Sequence, residues 1–405
     1  MADPNSTPPA VSYQNTPGNL AFYNPNPMPA ITSATPSFPT PMQGECFPNC
    51  PLMAALDAIT WVNRQFIPNN ITGPTNNNYT FTFWDYGIDN SMTVNNSMPG
   101  TVSLNGPITP VSNGTPITPV KAQVSVGNQV LLDANNRFSD PNGTFYGAGS
   151  NNANEVWPAL FERAYAKFCY YENGMTPSTG ALIGTKNANI NTITGSDPAY
   201  SDLQTLGANP PTNYWGGNAA IALAYLTGLN SFQLSTTLGA FNVPEYSSLP
   251  SSVNSTSLYT FIKAAFCSYS VGLRKTQLPL VAWTYENGSQ FSSLPSQGIL
   301  ASHCYAILGT FDSTNGCTNG HSYIVLRTTF GLSDPLALTS VAPSGCGSWE
   351  YKDLGFVLGN TTQSGLSAVA KTLNLSTPTD AIFGLDATVF SNYFQAIGWC
   401  EGFTL

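Results

Sequence analysis

At 405 residues the chain is long enough for two or three domains and a sizeable core. Only 8% of its residues are charged, and 12 Lys and Arg against 21 Asp and Glu leave a formal charge of −9. That balance excludes nucleic acid and anionic membrane surfaces as main partners, since both require a basic patch.

No apolar run approaches the roughly 18 residues of a membrane span. The 42% hydrophobic content sets the chain apart from disordered sequences. Its polar surface must be built from Asn, Ser, Thr and Gln, which do not change state as carboxylates protonate, so an acidic setting suits it.

Residues 1–42 form a Pro-rich segment that predicts extended chain without a helix of its own, either a tail or a pro-segment or arm lying across the body. Residues 62–120 are rich in Asn, Thr and Pro and hold short β-like runs such as Tyr79 to Trp84. Within them Pro107-Ile-Thr-Pro-Val111 recurs as Pro116-Ile-Thr-Pro-Val120, a repeat too short to imply a solenoid.

Apolar spacing predicts helices over Pro51–Trp61, Glu155–Tyr170 and Asn218–Leu226, the last ended by Gly228, and a fourth over Leu258–Tyr269. Beyond Gln277 the pattern becomes β, with strands expected over Leu278–Thr284, Cys304–Thr310 and Ser322–Thr329. The chain therefore divides into a helical part, 43–230, and a β-rich part, 231–405, in an α+β architecture.

Eight Cys stand at 46, 50, 169, 267, 304, 317, 346 and 400, none in a Cys-x-x-Cys pair, and with two His they do not predict a structural zinc site. Cys317 and Cys346 are a candidate bridge. Ten Asn-x-Ser/Thr sequons point to a secreted glycoprotein. The start, Met1-Ala-Asp-Pro, has neither the basic stretch nor the apolar run of a signal peptide, so a cytoplasmic setting is the alternative.

The chemistry gathers at two places. Asn49 is a good capping residue and Pro51 suits a first helical turn, which puts Cys50 at a helix start. There the helix dipole and unpaired N–H groups lower a thiol's pKa. Cys50 is thus a candidate nucleophile or a buried or bridged cysteine, with Cys46 competing for either role.

A nucleophilic thiol needs an imidazole to take and return its proton. His303 opens a strand, and a hairpin pairing residue 309 with 322 sets His303 opposite Thr328, about 5 Å away at Cβ. The Thr328 hydroxyl could then hold one ring nitrogen and leave the other for the thiol. His321 reads as a loop surface residue, and Cys304, next to His303, as core on the opposite face.

These residues carry a resemblance to the calpain family of papain-like cysteine proteases. Gln43-Gly44 and then Asn49-Cys50-Pro51-Leu52-Met53-Ala54-Ala55 resemble the opening of that family's nucleophile helix. Trp157-Pro-Ala-Leu160-Phe-Glu162-Arg-Ala-Tyr165-Ala-Lys167 resembles its next helix. Tyr214-Trp-Gly216-Gly217, Ala222 to Gly228, His303-Cys-Tyr305-Ala-Ile-Leu-Gly309 and Arg327-Thr328-Thr329-Phe330-Gly331 follow in the family's order over residues 43–360.

The resemblance implies a two-lobed papain-like fold with a cleft between a helical lobe and an antiparallel β-sheet lobe. It implies Cys50 as nucleophile, His303 as general base and then acid, and Gln43 as an oxyanion-hole donor. Thr328 stands where the family has its orienting Asn, and Phe330 where it has a shielding Trp.

Gly216, Gly217 and Phe330 would face an extended protein or peptide substrate. Calcium enters only through the resemblance, and no EF-hand loop exists in the chain. The expected activity is that of a cysteine endopeptidase. The alternatives are a pseudoprotease kept for binding or structure, which the changes at Pro51, Thr328 and Phe330 favour, and a transglutaminase-like thiol acyl transferase.

Overall fold

A computed structural model describes residues 10–19, 41–63, 65–85, 105–107, 111–112, 115–116, 118–141, 143–150, 155–172, 177–178, 184–185, 190–193, 195–208, 219–236, 255–265, 267–270, 273–285, 299–312, 322–329, 350–351, 355–356, 382–400 and 403. The described chain is mixed α+β. Its helices are α1 (Cys50–Val62), α2 (Phe66–Asn70), α3 (Trp157–Glu172), α4 (Tyr200–Ala208), α5 (Ala219–Thr227), α6 (Ser255–Ala265) and α7 (Phe390–Tyr393). No described helix is long and apolar enough to cross a membrane.

Two sheets organise these helices. A five-stranded sheet runs in the order Gly184–Thr185, Ile190–Ile193, Val120–Gly127, Asn78–Asp85, Ile71–Thr75. The part of the chain that reads as helical therefore carries a sheet as well. Its long strands alternate buried and half-exposed residues, and α3 covers the buried side through Phe161, Tyr165 and Phe168 against Phe81 and Phe83.

A nine-stranded sheet holds the described strands of the second half except the pair Glu350–Tyr351 and Gly355–Phe356. It places Phe394–Cys400 between Ser231–Ser235 and Leu280–Thr284, and Cys304–Asp312 against Leu280–Thr284, Leu273–Thr276 and Ser322–Thr328. Asn105–Pro107, from the first half of the chain, joins its edge beside Ser231–Ser235.

Alternation decides what each face of this sheet covers. Val281, Cys304, Ala306, Leu308, Tyr323 and Val325 join the cluster that holds α1 and α5. Leu280, Ala282, Tyr305, Ile307, Ile324 and Leu326 join a second cluster with Leu258, Phe261 and Ile262 of α6. Helix α1 is buried at every residue, Asp57 and Thr60 included, packed among α5, the sheet and the segment before it.

Of the Pro-rich segment, the strand Val11–Asn15 lies against the body. Val11–Asn15 pairs antiparallel with Gln129–Asp133, and the Arg163 guanidinium sits 4.0 Å over the Tyr13 ring. The helix expected to reach Tyr269 ends at Ala265, because Cys267–Ser270 turns back to pair with Leu273–Thr276.

One buried ion pair links three separate parts of the chain. Arg327, on strand Ser322–Thr328, donates through Nη1 to Asp57 Oδ2 in α1 and, at 3.1 Å, to the Pro41 carbonyl. Both side chains are almost wholly buried. Burial pushes the Asp57 carboxyl up to about 7, while Arg327 pulls it the other way.

The partners of this pair are unequal when one is removed. A lone Asp57 can take a proton, whereas a lone Arg327 cannot lose one. Asp57→Leu should therefore cost about 3–5 kcal/mol and Arg327→Met distinctly less, read from the shift in urea midpoint. Equal losses would show that the pair does not carry the buried charge as described.

Candidate active site

The segment entering α1 is held by close backbone contact. Glu45 N donates to Phe145 O at 2.9 Å and Cys46 N to Tyr146 O at 3.1 Å. A Cβ at Gly44 would stand 2.2 Å from Gly147 O, so only glycine fits between Gln43 and Glu45.

Pro51 occupies the first helical turn as expected. Asn49 does not cap the helix with its side chain. Its Nδ2 donates instead to Glu162 Oε1 on α3, and Ala148 N donates to Glu162 Oε2 at 3.1 Å. The capping residue is thereby spent on anchoring the start of α1 to α3.

His303 is fixed from the opposite side. Thr284 N donates to the His303 carbonyl at 3.0 Å, and His303 N donates to Thr284 Oγ1 at 3.0 Å. The turn before it passes through Ser302 at φ +50°, a left-handed conformation that a non-glycine residue adopts only when its surroundings enforce it.

The hairpin register differs from the expected one. Tyr305, not His303, lies opposite Thr328, and the register shifts again between Ile307 and Gly309. The Trp61 indole of α1 donates to the Leu308 carbonyl at 2.8 Å and so occupies the bulged residue.

The shifted register places a second hydroxyl at the imidazole. Thr329 Oγ1 lies 3.1 Å from His303 Nε2 and Thr328 Oγ1 3.4 Å. Thr329 also contacts Gln43: its hydroxyl donates to Gln43 Oε1 at 3.2 Å, and Gln43 N donates to its carbonyl at 2.7 Å. Gln43 Nε2 donates to Phe47 O at 2.8 Å. His303, Thr328, Thr329 and Gln43 thus form one buried cluster.

The Cys50 thiol completes it. Its pKa is held well below the usual thiol range by a hydrogen bond from the Cys304 thiol, by the charge and a hydrogen bond of His303 and by the Cys304 backbone N–H, against the opposing effect of burial. The Cys304 thiol is correspondingly raised, first by its bond to Cys50 and then by burial. Burial pushes Cys46 up to about 12, which separates the two cysteines of the loop.

The expectation that Cys304 points away from Cys50 is therefore overturned. His303 reaches the cluster from a turn outside the strand, so alternation begins at Cys304, which faces α1 with Ala306 and Leu308. Thr284, Thr329 and Glu162 were not picked out by sequence reasoning as site residues. A shorter turn, pairing residue 312 rather than 309 with Ser322, would have carried the register past Thr328 and brought Thr329 into view.

His321, Gly216, Gly217, Phe330, Cys317 and Cys346 lie outside the described residues. Among the described residues no group of three or more His, Cys, Asp or Glu is placed to hold a metal ion, and no step below uses one.

The geometry ranks the two threonines. Thr329→Val should slow alkylation of Cys50 by iodoacetamide at about pH 6 by roughly tenfold, the worth of one buried hydrogen bond, and Thr328→Val by less. Stopped alkylation followed by mass mapping of Cys50 reads both rates, and the reverse order would show Thr328 to be the main orienting group.

Glu162 provides a pH prediction. Burial pushes its carboxyl up to about 8, against hydrogen bonds from Ala148 and Asn49. A raised folded-state pKa contributes stability that is complete below the unfolded value of about 4.3 and is lost as pH rises through about 8. The Tm should fall across that window, and Glu162→Gln should flatten the fall. An unchanged slope in the variant would assign the titration to another group.

Neither a scan of protein-family models nor a search of curated proteins returns a match for the chain.

Proposed function

We propose that the chain is a thiol peptidase with a calpain-related, papain-like core. In this reading residues 43–230 form the lobe that carries Cys50, residues 231–405 form the lobe that carries His303, and substrate lies between them. The observation that carries it is the meeting of a depressed-pKa thiol at a helix start with an imidazole whose far nitrogen is held by hydroxyls. Each component has a chemical use in acyl transfer, and they come from segments more than 250 residues apart.

The Nε2 atom of His303 is taken by Thr329 and Thr328, which leaves Nδ1 for the thiol. Cys50 as thiolate attacks the scissile carbonyl, and the carbonyl π electrons move to oxygen. The Cys50 backbone N–H and the second Nε2 hydrogen of Gln43, whose first is on Phe47, are donors for that oxyanion. His303 then gives its proton to the leaving amine. Water, deprotonated by His303, hydrolyses the thioester. A protein or peptide substrate would lie extended along Gly216, Gly217 and Phe330, held by β-type hydrogen bonds.

One observation supports a binding protein instead: Cys50 is only 7% exposed and has another thiol against it. Labelling decides between the two readings. A thiol-directed peptidyl epoxide should modify Cys50 alone, with the rate persisting to about pH 5, where an ordinary thiol of pKa near 8.5 holds almost no thiolate. His303→Ala should lower that rate by about a hundredfold or more. A folded protein whose cysteines label slowly and without preference would leave the binding reading. Amine incorporation into a peptide glutamine would move the chain to the transglutaminase-like class.

A further inference from the structure

The Cys304 thiol has no place in the acyl-transfer scheme, yet it lies against the sulfur that does the chemistry. Its position is set by the fold. Cys304 is the first residue of its strand and pairs with Trp283, and its side chain faces α1, whose first residue is Cys50. A backbone N–H of Ala219, the first residue of α5, donates to the Cys304 sulfur. Two free thiols, both buried, thus meet between the starts of α1 and α5.

Their roles are unequal. Cys50 heads a helix and has the His303 imidazole beside it, which lowers its pKa, whereas Cys304 sits on a strand with its pKa raised by its hydrogen bond to Cys50. Cys50 is accordingly the sulfur that an electrophile meets first, and Cys304 is the neighbour able to respond.

We propose that Cys50 and Cys304 form a reversible modification site for hydroperoxides, in which Cys304 resolves an oxidised Cys50 as a disulfide. This rests on Cys50 being an activated thiolate. The thiolate attacks the distal oxygen of the hydroperoxide, the O–O bond breaks, and the alkoxide leaves with a proton from His303 as an alcohol. Cys50 is then a sulfenic acid. The Cys304 sulfur attacks the Cys50 sulfur, the S–O bond breaks, and hydroxide departs with the Cys304 proton as water. Two thiols and one hydroperoxide become one disulfide, one alcohol and one water.

Charge favours the second step. While Cys50 is a thiolate it holds the Cys304 proton in place. Oxidation of Cys50 to the neutral sulfenic acid removes that restraint, and the Ala219 N–H stays in place to stabilise a Cys304 thiolate. The disulfide protects Cys50 from over-oxidation to sulfinic acid, which thiol reductants do not reverse.

The test uses the full chain treated with hydrogen peroxide, followed by alkylation and non-reducing peptide mapping. A peptide joining Cys50 to Cys304 is expected, and dithiothreitol should restore the free thiol at Cys50. Cys304→Ser keeps a hydrogen-bond donor beside Cys50. In that variant peroxide should take Cys50 to the sulfinic acid, with less than about a tenth of the thiol recoverable.

Acid-persistent alkylation of Cys50 without the joined peptide would overturn the switch and leave the peptidase reading standing. Failure of Cys50 both to alkylate and to oxidise, in a protein with native circular dichroism, would overturn both.

Discussion

A guanidinium cannot be buried without a counter-charge, and much of this molecule's arrangement follows from where the counter-charge of Arg327 lies. Its nearest carboxylate is in α1, and the same Nη1 group also reaches the Pro41 carbonyl. The next residues after Arg327 are the two threonines on His303, the helix is the one headed by Cys50, and Pro41 lies two residues before Gln43. Desolvation makes any separation of these segments expensive, because an unpaired Arg327 would keep its charge in a low-dielectric interior. A strand, a helix and an incoming segment are thus fixed relative to one another away from Cys50 and His303.

Around that anchor the site is supported mostly by short polar side chains and backbone. Thr284 holds the His303 backbone on both of its hydrogen-bonding groups, Thr329 and Thr328 hold the ring, and Thr329 in turn holds Gln43. Glu162 holds Asn49 from α3. A chain with 8% charged residues builds the framework around Cys50 and His303 from hydroxyls and amides. The two buried carboxyls it does use, Asp57 and Glu162, are both pushed towards the protonated form. Such a framework keeps its hydrogen bonds where carboxylate networks would be losing theirs.

Residues whose role follows from local pattern were legible in the sequence. The α1 boundaries, the Pro51 first turn, the Gly228 stop and the strand beginning at Cys304 all come from spacing and turn chemistry, and the structure places them within a residue or two. What failed depended on register or on long-range partners. The strand from Cys304 runs on to Asp312, which pairs with Ser322 where residue 309 was expected to, and that three-residue difference, less one residue for the bulge at Leu308, brings Thr329 to His303. Asn49 was a good cap by type, but a buried Glu162 outbid the helix for its side chain. The five-stranded sheet was faint because Pro- and Asn-rich sequence interrupts its strands, and Cys304 was misplaced because His303 belongs to a turn rather than to the strand.

The strand order of the larger sheet bears on how the chain can be made. Phe394–Cys400 is an interior strand, hydrogen-bonded on one side to Ser231–Ser235 and on the other to Leu280–Thr284. Ser231–Ser235 in turn carries Asn105–Pro107 on its far edge. A nascent chain emerging from the ribosome therefore holds two unpaired strand edges open until residue 400 has been synthesised. Contacts of such long sequence separation form slowly, and open edges invite pairing with other chains. Pro279, directly before Leu280–Thr284, has no N–H to offer a chain that pairs there too early.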